Sequence, residues 1–498
     1  MSVLLILLVP LVATALVCIP ANRRWAPGVT VVACAANLIL ALWMASQLTA
    51  GQAVVSAVHA GMLKWIAVDG LSALIVLLIA LVGTTAAIFS FGYMAHDSCS
   101  PGRLRLYYAN YNLFLFSMLA VPVMAEPTLV WIVVELTTLC SALLVSFENT
   151  HAALEAAWKY VVLSLMGAGM ALFGFLVLFA AMQATGTDHA YTWTGLIAAA
   201  PTMPPVLLQT AFVLILIGLG TKAGLVPMHT WLPDAHSQAP SPVCALLSGV
   251  ETTAILYVIL RLFPVMHAAP NSHAETWALV LGLVSVGTAA FLLLQVRDYK
   301  RLFAFSTVEH MGIILTAVGL GASVAGYGAM QQIVNHSVTK SFCFFAAGAA
   351  LLAVETREIA AVRGLIRISP AAGAALIFGG LAIAGAPPLA IFLSEFSILK
   401  AGLTQGRYVA TGLLALFIAV AFFGVLLHLN RMVFGARENN PETKSEMGSP
   451  NSEIKSFRLP FSCRLALVLA AVPVLVLGVY VPKPLEDLLN LAAGALTK

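Results

Sequence analysis

A chain of 498 residues that is 61% hydrophobic and only 9% charged is not a soluble globular protein, in which about a quarter of residues carry charge. Its mean hydropathy of +0.97 and its unbroken apolar runs of about twenty residues point to membrane-spanning helices. They exclude a membrane barrel, whose strands alternate polar and apolar residues. The net charge of +4 comes from arginines in the connections and implies no nucleic-acid partner.

Apolar runs of bilayer length fall near 3–19, 29–48, 71–94, 106–125, 127–147, 160–183, 207–227, 242–263, 276–296, 302–321, 327–354, 372–400, 408–433 and 463–481, fourteen in all. The first has no basic segment before it and no convincing cleavage site after it, so it reads as an uncleaved span, not a signal peptide. The expected fold is an all-α polytopic membrane protein forming one membrane domain over 1–498. N-terminal helices occupy 1–105, a first five-helix unit 106–263, a second 276–433, and a polar loop with the last helix 434–498. The longest polar stretch, Arg437–Arg458, is too rich in Asn, Glu, Ser and Lys to bury a core. The seven cysteines (Cys18, Cys34, Cys99, Cys140, Cys244, Cys343 and Cys463) form no C-x-x-C pair and read as packing residues. No metal site is expected, and no phosphate loop, dinucleotide fingerprint or nucleophile elbow occurs.

Lysine and arginine placement sets the orientation. With fourteen spans the connections alternate sides, and they divide the cations outside the helices seventeen against six. The rich side includes Arg23, Arg24, Arg103, Arg105, Lys159, Arg297, Lys300, Arg301, Arg357 and Arg437. The poor side holds Lys64, Arg261, Lys400, Arg407, Lys483 and Lys498. Both termini are therefore expected to face the periplasm of a bacterial inner membrane.

Several charges fall where lipid would be. Glu135, Lys222, Glu251 and Lys340 lie within predicted spans, and His336 shares a helix face with Lys340 one turn away. Glu309 and His310 lie near the start of the tenth span, and Glu395 follows the break APPLAIFLSEF. A charge at the bilayer centre costs about 2.5–3.5 kcal/mol on insertion scales, so such groups persist where they have partners or line a watered cavity. A single buried ion pair could simply pin two helices. A set strung over five or six helices fits a proton relay better, because buried pairs stabilise little and a buried lysine readily changes protonation.

The stretch GLGTKAGLVPMHTWLPDAHSQAPSPV, residues 218–243, is the centre of this pattern. It carries Lys222 in an apolar helix, breaks at Pro227, and continues through His229, Asp234 and His236. Those three could be imagined as metal ligands, but they read as a polar loop that caps a broken helix and gates water access. A second break precedes Glu395. Paired, proline-interrupted spans point to inverted repeats whose sites meet at mid-membrane. The two five-helix units are thus expected to be pseudo-symmetric, the first centred on Lys222 and the second on Glu395. Glycines in GAGMALFGF and GGLAIAGAPP are expected at close helix crossings.

These motifs resemble a known family. TKAGLVPMHTWLPDAHSQAPSPVCALLSG is similar to the signature of the antiporter-like, proton-translocating membrane subunits shared by respiratory complex I, multisubunit cation/proton antiporters and membrane-bound [NiFe] hydrogenases. WIVVELTTL, FSTVEHMG, NHSVTKSFCFFAAG, TREIAAVRGL and APPLAIFLSEF extend the resemblance from the third span to the thirteenth. ELTTLCSALLVSF, ALEAAWKY and STVEHMG look most like the hydrogenase-4 component F, formate-hydrogenlyase-type, branch. The resemblance implies that Glu135 pairs with Lys222, that His336 and Lys340 lie on the central hydrophilic axis, and that Glu395 is the terminal position. The eighth-helix position that often carries a bridging lysine or histidine is Thr253 here, and whether nearby Glu251 replaces it is left open.

By this resemblance the chain is expected to move protons within a redox-driven complex. It would hold no cofactor itself, with iron–sulfur clusters and a nickel–iron centre in peripheral partner subunits on the cytoplasmic side. Other membrane subunits and the lipid bilayer complete its partners. The alternatives are a subunit of a Na⁺(K⁺)/H⁺ antiporter, a channel coupled to inorganic-carbon uptake, and a scaffold that has lost transport.

Overall fold

The structure, a computed structural model, describes residues 2–52, 65–96, 99–436 and 457–497. Within them all regular structure is helical, apart from isolated antiparallel bridges joining Ile66 to Met124 and Asp298 to Glu358. The helices are α1 (Ser2–Val17), α2 (Trp25–Thr49), α3 (Gly70–Tyr93), α4 (Pro101–Ala120), α5 (Pro127–Val145), α6 (His151–Gln183) and α7 (Trp193–Ala199). Next come α8 (Pro205–Ala223), α9 (Trp231–Gln238), α10 (Ser241–Leu246), α11 (Thr252–Leu260), α12 (Leu262–Ala268), α13 (Ala274–Leu293) and α14 (Tyr299–Gly319). The last are α15 (Ala322–Val354), α16 (Leu365–Ile368), α17 (Pro370–Ile383), α18 (Ala390–Thr404), α19 (Tyr408–Phe434), α20 (Phe461–Val479) and α21 (Lys483–Gly494).

Helix starts follow from local chemistry. Asp69 accepts the Ser72 amide at 2.9 Å, Thr150 the Ala153 amide at 3.1 Å, and Asp298 the amides of Lys300 and Arg301, so each satisfies donors that have no partner inside the helix. Proline occupies the first turn of α4, α5, α8 and α17, where its missing N–H is not needed.

Among the described residues, eleven helices are long and apolar enough to cross a membrane, which makes this a multi-pass membrane protein. Three of the fourteen expected runs are helical but fall outside that measure. α1 is only 16 residues long. α4 carries Arg103, Arg105, three tyrosines and two asparagines. The run at 372–400 is two shorter helices, α17 and α18. The segment 241–268 is 100% buried over its most apolar stretch and α14 is 94% buried, against 33% for α19 and α20. The first two therefore lie at the centre, away from lipid, and polar side chains on them need only satisfy protein neighbours.

Two spans are interrupted in the same manner. Past α8, Gly224 takes φ +84° and Leu225 N–H returns to Gly220 O at 2.8 Å; past α17, Gly385 takes φ +75° and Ala386 N–H returns to Leu381 O at 3.0 Å. This is the closing bond of a helix that ends in a left-handed residue, a conformation glycine adopts without strain. The first break thus begins at Gly224, three residues before the proline at which the sequence placed it. Pro227 and Pro388, each three residues after the glycine, are both cis.

The two membrane faces are distinguishable. On one, Asp234 bridges Lys159 at 3.3 Å and Arg301 at 2.9 Å. Lys300, expected in an exposed connection, is instead buried in the first turn of α14. Its Nζ donates to Ser237 O at 3.2 Å and Ala239 O at 2.5 Å, satisfying carbonyls left open where α9 ends. Toward the far end of the 241–268 segment, Arg261 is only partly exposed and pairs with Asp69 while lying over the Tyr257 ring. Burial works to raise the Asp69 carboxyl, but the Arg261 charge and hydrogen bonds from Arg261 and Ser72 hold it below the ordinary carboxylate range. Lys64, Arg437, Lys444, Lys455 and Lys498, and the polar loop over 437–456, lie outside the described residues. Among the helices with no counterpart in the expected spans, α21 is the longest. Too short to span a bilayer, it buries Leu488, Leu489 and Ala492 against α3 and α15 and presents the Lys483–Asp487 pair outward.

Glycine brings α6 to α8 and α13 to α14. A Cβ on Gly218 would lie 2.5 Å from the Ala171 amide nitrogen, and one on Gly312 would lie 2.9 Å from Val286 N. Gly167 and Gly174 share the α6–α8 seam as expected, whereas Gly169 faces open space. Gly218→Val is therefore expected to destabilise the protein by about 1–3 kcal/mol through overpacking, and Gly169→Val to leave it within about 0.5 kcal/mol, as read by unfolding in detergent.

Candidate functional site

Lys222 lies in the last turn of α8 and is 2% exposed. Its ammonium donates to Val134 O at 2.6 Å, to Thr137 Oγ1 at 2.6 Å and to Thr138 Oγ1. These three acceptors sit at helical spacing on one face of α5, so a single stripe satisfies all three N–H groups. The counter-ion is Glu251, whose Oε1 lies 3.7 Å from Nζ. Glu251 is 1% exposed, and the same oxygen accepts hydrogen bonds from Thr137 Oγ1 at 3.0 Å and Tyr160 OH at 3.1 Å.

The pairing implied by resemblance is thus replaced. Glu135 is one residue past Val134, which turns it off the stripe facing Lys222, and both its carboxylate oxygens are buried without a hydrogen-bond partner. It remains close enough for its charge to act on Lys222 and Glu251. Glu251 ends a π-helical turn, Leu247–Glu251, in the middle of the enclosed 241–268 segment. Such wide turns are rare and are frequently found at functional sites. Thr253 gives its hydroxyl to Gly249 O at 3.2 Å, so the titratable group that this segment brings to the site is Glu251.

The other side of the π turn meets a second group of buried polar residues. His336 on α15 donates Nε2–H to Ser248 O at 3.1 Å, leaving its Nδ1 lone pair buried and unpartnered. Its ring lies 5.3 Å from that of His310 on α14. His310 donates to Ile383 O at 3.1 Å, a carbonyl freed at the second break, and accepts from the Gln332 amide at 2.8 Å. Both carbonyl acceptors require the Nε2–H form of the neutral rings. Lys340 shares the α15 face with His336 as expected, but its Nζ turns to α14 and donates to Phe303 O at 2.5 Å and Ser306 Oγ at 2.6 Å. Glu309 is buried on α14 near enough for its charge to act on both Lys340 and Glu395. The Glu395 carboxylate rests directly on Gly385, at the second break, where any Cβ would displace it.

The three loop candidates separate. Asp234 is held at the surface by Lys159 and Arg301 and joins no buried cluster. His229 is buried, with Nδ1 3.3 Å from Pro227 O. His236 donates Nδ1–H to Leu232 O at 2.8 Å and keeps Nε2 buried without a partner. The structure also adds residues that sequence reasoning missed. Thr137 and Thr138 could have been found from their spacing behind Glu135, three and four residues after Val134. Tyr160, Gln332 and Trp231 carried no such signal. Trp231 stacks on Tyr160 with ring centres 4.4 Å apart and donates to Thr221 O at 2.8 Å, a carbonyl exposed by the end of α8.

The buried titratable groups thus fall into two neighbouring sets. Lys222 and Glu251 lie on one side of the π turn, and His336, His310, Lys340, Glu309 and Glu395 lie on the other.

Comparisons with known proteins agree with this architecture. Residues 126–422, more than half of the chain, match the family described as NADH:quinone oxidoreductase/Mrp antiporter, transmembrane. Residues 65–102 match the N-terminus of NADH-ubiquinone oxidoreductase (complex I) chain 5. The chain is 38% identical over 422 residues to the hydrogenase-4 component F homolog of Methylacidiphilum infernorum, covering 83% of this chain and 85% of that one. It is 30% identical to hydrogenase-4 component B of Escherichia coli, covering 66% of this chain, and 31% identical to Na(+)/H(+) antiporter subunit A1 of Staphylococcus aureus, covering 70%. It spans only 49% and 44% of the lengths of these two. Among solved structures, a chain of the archaeal membrane-bound sulfane sulfur reductase superposes with a TM-score of 0.86 at 22% identity, covering 100% of this chain and 97% of that one. A chain of the Mrp complex from Dietzia sp. gives 0.85 at 20%, with the same coverage. The buried charged axis and these matches together lead to one statement: the chain belongs to the family of antiporter-like membrane subunits of complex I, Mrp antiporters and hydrogenase-4.

Proposed function

We propose that this chain conducts protons across the membrane along its buried axis, as a subunit of a redox-driven complex of the hydrogenase-4 type. The observation that supports the reading is the contact chain from Lys222 through Glu251 and the π turn to His336 and His310, which joins titratable groups of four helical segments. In this reading, a partner's redox or conformational change alters the field at Lys222, whose proton passes along the axis to Glu395 and leaves on the opposite side. Glu135, whose buried carboxylate makes no hydrogen bond, is the group through which a change at the α5 face reaches Lys222.

The finer architecture is part of the same proposal. α1, α4 and the α17–α18 pair complete fourteen spans, and the two breaks mark two inverted five-helix units. Aligning Gly224 with Gly385 sets Asp234 against Glu395 and Lys222 against Ile383, so the two units carry their charges at different positions relative to the break. The cation-rich face is the cytoplasmic one, which places both termini in the periplasm. Iron–sulfur and nickel–iron centres belong to peripheral subunits. The similarity to Na(+)/H(+) antiporter subunit A1 supports a second reading, ion exchange without redox partners.

Purification of the tagged protein in mild detergent separates these readings: co-purifying iron–sulfur and nickel–iron subunits support the first, and small membrane subunits alone support the second. In sealed vesicles, Lys222→Ala is expected to lower proton transfer by about a hundredfold or more while the complex still assembles; transfer at the wild-type rate would refute both. A structural test accompanies it. Glu251→Leu strands a buried ammonium and is expected to lower stability by about 3–5 kcal/mol, whereas Lys222→Met with Glu251→Leu recovers most of that loss. A mere helix pin predicts that the stable double variant still conducts; the relay predicts that it does not.

A further inference from the structure

We propose that Thr137 is a proton-transfer residue: its hydroxyl carries the proton between Lys222 and Glu251. This rests on the reading of Lys222 and Glu251 as parts of a conducting axis. The direct gap from Lys222 Nζ to Glu251 Oε1 is 3.7 Å, longer than a hydrogen bond. Thr137 Oγ1 bridges it, accepting from Nζ at 2.6 Å and donating to Oε1 at 3.0 Å. The step balances within the three groups. An Nζ–H bond breaks as a new Oγ1–H bond forms, and the original Oγ1–H proton moves to Oε1. The ammonium becomes an amine, the carboxylate becomes a carboxylic acid, and the threonine is regenerated with its hydroxyl proton exchanged.

The geometry also contains an off position. The hydroxyl has a single proton and two acceptors, Glu251 Oε1 at 3.0 Å and Val134 O on its own helix at 2.8 Å. Rotation about the Cα–Cβ bond region of one buried side chain is not needed to switch between them; reorientation of the O–H alone connects or disconnects the two charged groups. Tyr160 donates to the same Glu251 oxygen at 3.1 Å and lies 2.8 Å from Ser141 Oγ, so it holds Oε1 in place while leaving one lone pair for the incoming proton. Tyr160 makes no hydrogen bond to Lys222 and is a positioning residue in this scheme.

Thr138 supplies an internal control. Its hydroxyl also accepts from Lys222 Nζ but does not reach Glu251. Proton transfer is measured in vesicles holding the whole complex, with Lys222→Ala as the reference. Thr137→Val, which keeps shape and removes the hydroxyl, is expected to slow transfer about tenfold or more, Thr137→Ser to restore it to within about threefold of wild type, and Thr138→Val to stay within about threefold. Should Thr137→Val fail to assemble, Thr137→Cys keeps the volume with a far weaker hydrogen-bonding group and is read in the same way. Wild-type transfer by the hydroxyl-free variant overturns the proposal. So do equal losses in Thr137→Val and Thr138→Val, which would show that both hydroxyls only seat the lysine, and a failure of serine to restore the rate. Normal transfer by Lys222→Ala would instead remove the reading on which the proposal rests.

Discussion

An ammonium in the middle of a membrane protein needs acceptors for three N–H groups and a counter-charge, and the arrangement around Lys222 follows from that requirement. α5 supplies the acceptors from one stripe, Val134, Thr137 and Thr138, and the enclosed 241–268 segment supplies the charge as Glu251. The glycine seam between α6 and α8 is what lets α8 carry Lys222 this deep beside them. The break after α8 releases carbonyls that Trp231 then satisfies, and the same tryptophan supports Tyr160 against Glu251. Remove the charge and much of this local architecture has no purpose.

Most of the fold was legible in the sequence, because a bilayer allows little besides continuous apolar helices. Most apolar helices, both interruptions and most of the buried ionisable residues could be read from runs of hydrophobicity and the charges that break them. The partners could not. Whether Lys222 meets Glu135 or Glu251 depends on one residue of helical phase on α5 and on a π turn, and neither leaves a mark in composition. Lys300 and Arg261 looked like connection residues because they sit at helix ends; only the packing shows that they are enclosed there by carbonyls and by Asp69. α21 was missed because its twelve residues are amphipathic, not apolar, and the search followed apolar length.

The two interruptions share their backbone form but not their chemistry. The first places a lysine just before the glycine and leaves its aspartate at the surface, tied to Lys159 and Arg301. The second has an apolar residue before the glycine and a buried glutamate after it. A shared backbone device thus serves two different electrostatic ends, one presenting a cation to the axis and the other an anion. The carbonyls freed at each break are used as well: Thr221 O receives Trp231 and Ile383 O receives His310, so the breaks feed the polar network instead of leaving open backbone in lipid.

The hold on α9 has a mechanical consequence. Its first residue is anchored to the end of α8 through the Trp231 indole, and its last turn is clasped by the buried Lys300 and by Arg357 on Ser237 O. A segment fastened at both ends to separate helices is a joint welded shut, not a hinge. Rocking of this half-helix, the motion by which many carriers with broken helices alternate their access, would cost several hydrogen bonds at once here. What stays free to move is small: hydroxyl rotors, an imidazole with an open nitrogen, a carboxylate without a partner. If the chain conducts protons as proposed, such a frame favours changes of state by the turning of single groups over the rocking of whole helices.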